Sequence, residues 1–206
     1  IIIEGDICKG YANGINYAIS IAKGRDILFI HSDVIITHNS IKKLRNSLYS
    51  FEDVGAVGPV TNKSQYNQKV QVDYNSYSDA IEFSKNYNTN DVNKIEKRIK
   101  LDNFCILIKK ELVTKCENLC ETYITDTCAM DDYLFRMRIS GYSLLLCKDV
   151  FVHHYGDYHL LGNQTDINEN LSKDEMAFRN IWGFSIGYSS MIREEIIDLI
   201  DQHENK

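Results

Sequence analysis

Apolar positions along the chain alternate between two periods. In residues 11–22, Ile15, Ala18, Ile19 and Ala22 fall at helical spacing and Gly24 follows as a stop, which predicts an amphipathic helix. The run ILFI (27–30) is short and continuously apolar, the pattern of a strand buried on both faces of a parallel sheet. Helical spacing returns with Ile41, Leu44 and Leu48 behind Asn39 or Ser40 as N-cap. VGAVGPVTN (54–62) then reads as a small-residue strand running into a Gly-Pro break. With IIIEGD at the start as a strand end, the first sixty residues alternate strand and helix, as in an open α/β sheet with crossover helices.

The pattern loosens from Lys63 to Lys100, a polar stretch rich in Asn, Tyr, Ser and Asp that predicts a long loop and one helix near YSDAIEFSKNYN. DNFCILIKKELVTKC predicts a strand entering a helix, and AMDDYLFRMRISGY a helix stopped by Gly141. SLLLCKDVFVHHYG reads as a pair of short strands. The segment from Asp157 predicts a flexible stretch, then a helical segment from about residue 174, and SMIREEIIDLIDQHENK a terminal amphipathic helix. No repeat or linker divides the chain, so residues 1–206 read as a single domain.

Composition narrows the function classes. The net charge of −6 offers no basic face for nucleic acid. No run of eighteen or more apolar residues provides a membrane span. Six cysteines at irregular spacing lack a C-x-x-C pair; free thiols in a reducing cytosol are expected rather than a zinc site at Cys116, Cys120 and Cys128. The opening IIIEGD, strand-like and without an initiator Met, is what a piece of a longer protein would show.

Chemistry concentrates where apolar runs end. Ligands of open α/β sheets bind beyond the carboxyl ends of the strands. There, straight after ILFI, stand His31, Ser32 and Asp33. Asp33 either reaches a bound ion or caps a turn. FVHHYG repeats the design with His153 and His154, and two clusters of carboxylate and imidazole at strand ends point to a divalent metal. Asp131 and Asp132 supply carboxylates at an expected helix start, serving either the helix dipole or general-base chemistry. Arg136 is spaced to orient Asp132 by an i,i+4 pair.

In order and spacing, GYANGINYAISIAKGRDILFIHSDV, GAVGPVTN, FCILIKKEL, DDYLFRMRISGYSL, DVFVHHYG and FRNIWG resemble the family-two, inverting glycosyltransferases of GT-A fold. The resemblance covers about Cys8 to Gly183. It implies a Rossmann-related open mixed sheet flanked by helices, truncated on its N-terminal side. It also implies transfer of a sugar from a nucleotide-diphosphate donor to an acceptor hydroxyl, assisted by Mn²⁺ or Mg²⁺. Asp33 matches the metal-binding Asp of the Asp-x-Asp motif, His31 stands in place of the first Asp, and His154 matches a third metal ligand. Asn16 matches a helix Asn beside the nucleotide, and Asn16, His31, Ser32 and Asp33 form the implied donor site. Asp131, ahead of Asp132, matches the catalytic base. Ile181 replaces the Lys of the family's Phe-x-x-Lys-Trp-Gly segment, and Met130 an acidic residue. The segment 157–173 would order as a lid, and the loop NKSQYNQKVQVDYNSY would recognise sugar or acceptor. The acceptor would be a glycan, a lipid-linked glycan or a protein, in the cytoplasm or at the inner membrane face. A homodimer or a preceding segment would complete the fold. The alternative is an inactive nucleotide-sugar-binding or scaffolding module of the same fold.

Overall fold

The computed structural model describes residues 10–24, 26–64, 67–88, 94–156 and 164–185, excluding the side chains of 114, 164 and 165. The expected strand at 1–6, the first part of the lid segment (157–163) and the terminal helix at 190–206 lie outside the described residues.

The order is α1 (Tyr11–Ile21), β1 (Asp26–Ile30), β2 (Val34–Ile35), α2 (Ser40–Leu48), β3 (Val54–Thr61), α3 (Tyr77–Tyr87), β4 (Ile95–Arg98), β5 (Cys105–Lys109), α4 (Glu111–Lys115), α5 (Asp126–Ile139), β6 (Ser143–His154) and α6 (Gln164–Trp182). The six strands form one open mixed sheet, in the order β1-β5-β3-β6-β2, with β4 pairing β6 off this path. Among the described strands only β3 and β6 run parallel, and the described partner of β1, β5, is antiparallel to it. Nor is β1 buried on both faces as expected: within it Phe29 is buried and Ile30 is 40 % exposed.

Two core layers cover the sheet. On one face α2 packs Leu44 and Leu48 against Val54, Val57, Phe104, Leu107 and Val152. On the other, α1, α5 and α6 gather Ile19, Phe29, Ile106, Met130, Tyr133 and Phe178. β3 is buried along all eight residues. Its Gly55 is required by crowding, since a Cβ there would lie 2.9 Å from the Tyr142 Cβ and 3.1 Å from Leu112.

Three elements differ from the pattern. The two short strands expected over 143–154 are one strand, β6, with a bulge inside it: its register jumps from Pro59↔Cys147 to Val60↔Phe151. Pro59 has no N–H to donate, so the ladder breaks there and β6 gives the extra residues. Asn88, after α3, bonds the bulge, accepting from the Phe151 N–H at 2.6 Å and donating to the His38 carbonyl at 2.8 Å. Second, α5 begins at Asp126 behind Thr125, whose hydroxyl accepts from the Cys128 N–H, so Asp131 and Asp132 lie in its second turn. Third, residues 164–173 are the first half of α6, not a flexible lead-in. At the start of α2, Asn39 caps through backbone only, in the left-handed region it tolerates (φ 59°).

Candidate active site

The turn after β1 is tied down by backbone. The His31 N–H donates to the Phe104 carbonyl at 2.9 Å and the Val34 N–H to the His31 carbonyl at 3.2 Å. β2 then pairs with the end of β6, Val34 opposite His154, which puts Asp33 beside the β6 terminus. From the other side, the Tyr155 N–H donates to the Asp33 carbonyl, and the Gly156 N–H to Asp33 Oδ2, each at 3.0 Å. Gly156 has φ 69°, and a Cβ on it would fall 2.9 Å from Lys63. Only glycine gives its amide to the carboxylate here.

His154 is held on three sides. The Asn62 amide pairs with both backbone groups of His154, at 3.0 and 2.8 Å, standing in for a neighbouring strand. The imidazole stacks on Phe104 with ring centroids 5.3 Å apart. Its Nδ1 lies 3.0 Å from the Lys63 carbonyl. A carbonyl only accepts, so Nδ1 carries a proton, and in the neutral form of the ring the lone pair lies on Nε2. That Nε2 is buried without a well-aligned hydrogen bond, and Asp33 Oδ2 lies 3.3 Å away. Two lone-pair atoms facing each other, on residues 8 % and 6 % exposed, repel unless a cation or a proton lies between them.

His31 completes the group. Its Nε2 is 3.1 Å from Asp126 Oδ2, at the first residue of α5, and its ring centroid is 6.0 Å from that of His154. One ligand atom each from His31, Asp33 and His154 lies within 4.8 Å of the others. Among the described residues no other group of three or more such side chains comes together, and Cys116, Cys120 and Cys128 are free thiols. Burial pulls the His31 pKa down, but the hydrogen bond and charge of Asp126, then the charges of Asp33 and Asp102, outweigh it and raise it. The surroundings favour positive charge.

Asp131 and Asp132 diverge. Asp132 accepts from Arg136 Nε at 2.9 Å, Trp182 Nε1 at 2.9 Å and the Tyr123 hydroxyl at 3.4 Å, while Arg136 also binds the Cys116 and Asn118 carbonyls. The i,i+4 pair with Arg136 is present, inside a tie that joins α5, α6 and the loop after α4. Asp131 is paired with Lys100. Burial pushes its pKa up to about 6; Lys100 opposes the rise, and Asp102 and Asp126 add to it. Asp102 and Asp126 act on both His31 and Asp131, so the imidazole–carboxylate cluster and Asp131 share one acidic basin.

The remaining expected residues lie differently. The Ser32 side chain is exposed at the tip of the turn. Asn16 in α1 brackets the loop before α5: it donates to the Leu119 carbonyl at 2.9 Å and Glu121 Oε1 at 3.1 Å, and accepts from the Leu119 N–H at 2.9 Å. Both ends of its amide are engaged away from the cluster. The sequence reading missed Asp126, Asp102, Lys100, Asn62 and Lys63. The Thr-Asp-Thr stretch at 125–127 is a helix-start signal that would have moved the start of α5 back and exposed Asp126; the others lie in loops and carry no local signal.

No family model matches the chain, and no curated protein matches it. Among solved structures, the mannosyltransferase PcManGT from Pyrobaculum calidifontis, in complex with GDP-Man and Mn²⁺, aligns over 96 % of this chain at 16 % identity and a TM-score of 0.54. The alignment takes in 49 % of that enzyme, so the chain spans about half its length. At this identity the likeness is one of fold: the open mixed α/β sheet flanked by helices is shared with a glycosyltransferase.

Proposed function

We propose that this chain is a nucleotide-sugar-dependent glycosyltransferase that moves a sugar from a nucleotide-diphosphate donor to an acceptor hydroxyl with inversion, assisted by a divalent cation. The observation that carries the reading is the facing pair of buried lone-pair atoms, Asp33 Oδ2 and His154 Nε2, 3.3 Å apart at the strand ends. A divalent cation suits this carboxylate and imidazole, and Asp33 and His154 are the residues that would hold it. When bound, it would supply positive charge to balance the departing diphosphate. The fold shared with a mannosyltransferase, itself in complex with GDP-Man and Mn²⁺, supports the same class of chemistry.

The chain's own residues do the rest. Asp131, with its pKa raised towards the working range, takes the proton from the acceptor hydroxyl. Lys100 holds that carboxylate in place. Asp132 anchors the helix that carries it, because its oxygens are engaged by Arg136, Trp182 and Tyr123. A single displacement by the hydroxyl inverts the anomeric carbon. Ser32, exposed beside Asp33, faces the donor. The acceptor is a glycan, a lipid-linked glycan or a protein hydroxyl.

Sugar transfer from GDP-, UDP- and dTDP-sugars, assayed with Mn²⁺, tests this. Asp131→Asn should lower turnover by about 10²–10⁴-fold, and Asp33→Ala should abolish the dependence on cation. Wild-type turnover in both variants would end the assignment.

A further inference from the structure

An aromatic ring is held open to solvent beside the Asp33–His154 pair. We propose that Tyr155 is the ring on which the transferred sugar of the donor stacks, and that Tyr74, acting through His153, positions it. The inference rests on the nucleotide-sugar reading and adds to it a contact for the sugar itself.

Three observations carry it. The first is place: Tyr155 stands between His154 and Gly156, and its N–H donates to the Asp33 carbonyl at 3.0 Å. The second is support. The Tyr155 ring meets that of His153 edge to face, with centroids 4.7 Å apart and planes at 88°. His153 is held in turn by Tyr74, whose hydroxyl lies 2.7 Å from Nδ1. Tyr74 packs on Phe83 and Phe151, with centroids 5.6 and 6.3 Å apart, and Phe151 belongs to the core. A column of rings thus runs from the core to the surface beside Asp33. The third is exposure: Tyr155 is 46 % exposed, and among the described residues its hydroxyl makes no hydrogen bond. Single exposed aromatics are ordinary on a protein surface. One already fixed by packing, next to a site, loses little freedom when a ligand covers it.

Chemistry decides the occupant. In the proposed function the donor diphosphate meets Asp33 and His154, so a ring one residue away meets a group bonded to that diphosphate. Those groups are the ribose and the transferred sugar. A pyranose presents a broad face of C–H groups with partial positive charge, which complements the negative face of an aromatic ring. The Tyr155 hydroxyl, at the edge of that face, is a donor and acceptor for sugar hydroxyls.

The test is calorimetric titration of the whole chain, in Mn²⁺, with GDP-mannose, UDP-glucose and dTDP-glucose, and with GDP, UDP and dTDP alone. For the nucleotide that wild type binds, Tyr155→Ala should weaken the sugar-bearing form about tenfold and leave the bare diphosphate at wild-type affinity. Tyr155→Phe, which keeps the ring, should retain most of the sugar affinity. Tyr74→Phe, which removes the hydroxyl beside His153, should weaken the sugar-bearing form alone; unchanged binding there would remove the positioning role. Wild-type affinity for the sugar-bearing form in Tyr155→Ala would overturn the inference and leave nucleotide binding standing. So would an equal loss with and without the sugar, which would put the ring against the nucleoside, or an equal loss in Tyr155→Phe, which would assign the hydroxyl rather than the ring. Wild type binding none of these nucleotides would instead overturn the proposed function.

Discussion

Asp33 and His154 are placed by backbone rather than by each other. Strand pairing of Val34 with His154, the Gly156 N–H and the Asn62 amide bring a carboxylate and an imidazole together that 120 residues separate in the chain only as a matter of sequence. That both side chains stand at strand ends was legible because each ends an apolar run. The different surroundings of the two aspartates in α5 were not legible, because their partners come from distant elements: Lys100 for Asp131, Trp182 and Tyr123 for Asp132. The base assignment has a pH consequence. A base works deprotonated, so turnover should fall as pH drops through about 6, and Lys100→Met, which removes the cation that holds the value down, should move that midpoint higher. The stability sign is opposite. The folded-state value lies above the ordinary one, so the contribution of Asp131 to folding is full below about pH 4 and is lost as pH rises through about 6. Relative to Asp131→Asn, wild type should lose on the order of 3 kcal/mol between about pH 4 and pH 7, read from denaturant melts.

Elements carry the site through their ends. β6 reaches the cluster only after its bulge, and the bulge exists because Pro59 withholds an N–H from the ladder. The Gly-Pro pair marked the break, but its effect falls on the partner strand, which local pattern cannot reveal. Asn88 closes the gap by bonding Phe151 and His38. Asn88→Ala should leave these buried groups unpaired and cost about 1–3 kcal/mol in urea unfolding. α6 braces α5 at two points, Asp174 at its start and Trp182 beside Asp132. The polar pattern of residues 164–173 read as flexible because an amphipathic helix with a narrow apolar face shows few periodic positions. α5 is the converse case. It is buried nearly all round, so its pattern announced a helix while its capping residue Thr125, well before the aspartates, decided where it begins.

At the scale of the molecule, a cation held by Asp33 and His154 would link the turn after β1 to the end of β6, far apart in the sequence. A ligand that binds only the folded state stabilises it by mass action. Mn²⁺ at about 100 times its Kd should add about 2.7 kcal/mol, a Tm rise on the order of 5–10 °C for a chain of this size. A chelator should reverse the rise, and a double Asp33→Ala, His154→Ala variant should show none in a thermal melt. Among the described residues no helix is long and apolar enough to cross a membrane.

The amino-acid sequence by itself determined the class of fold and the placing of polar side chains at the ends of apolar strands. Apolar periodicity dictates which segments are strands and helices, and polar residues at the ends of buried strands are costly unless they turn or bind something. Tertiary structure alone decided strand direction, the β6 bulge, the separate surroundings of Asp131 and Asp132, and the meeting of His31 with Asp126. Those features depend on hydrogen bonds, charge and burial between residues far apart in the chain, and such contacts exist only once the sheet and its helices have packed.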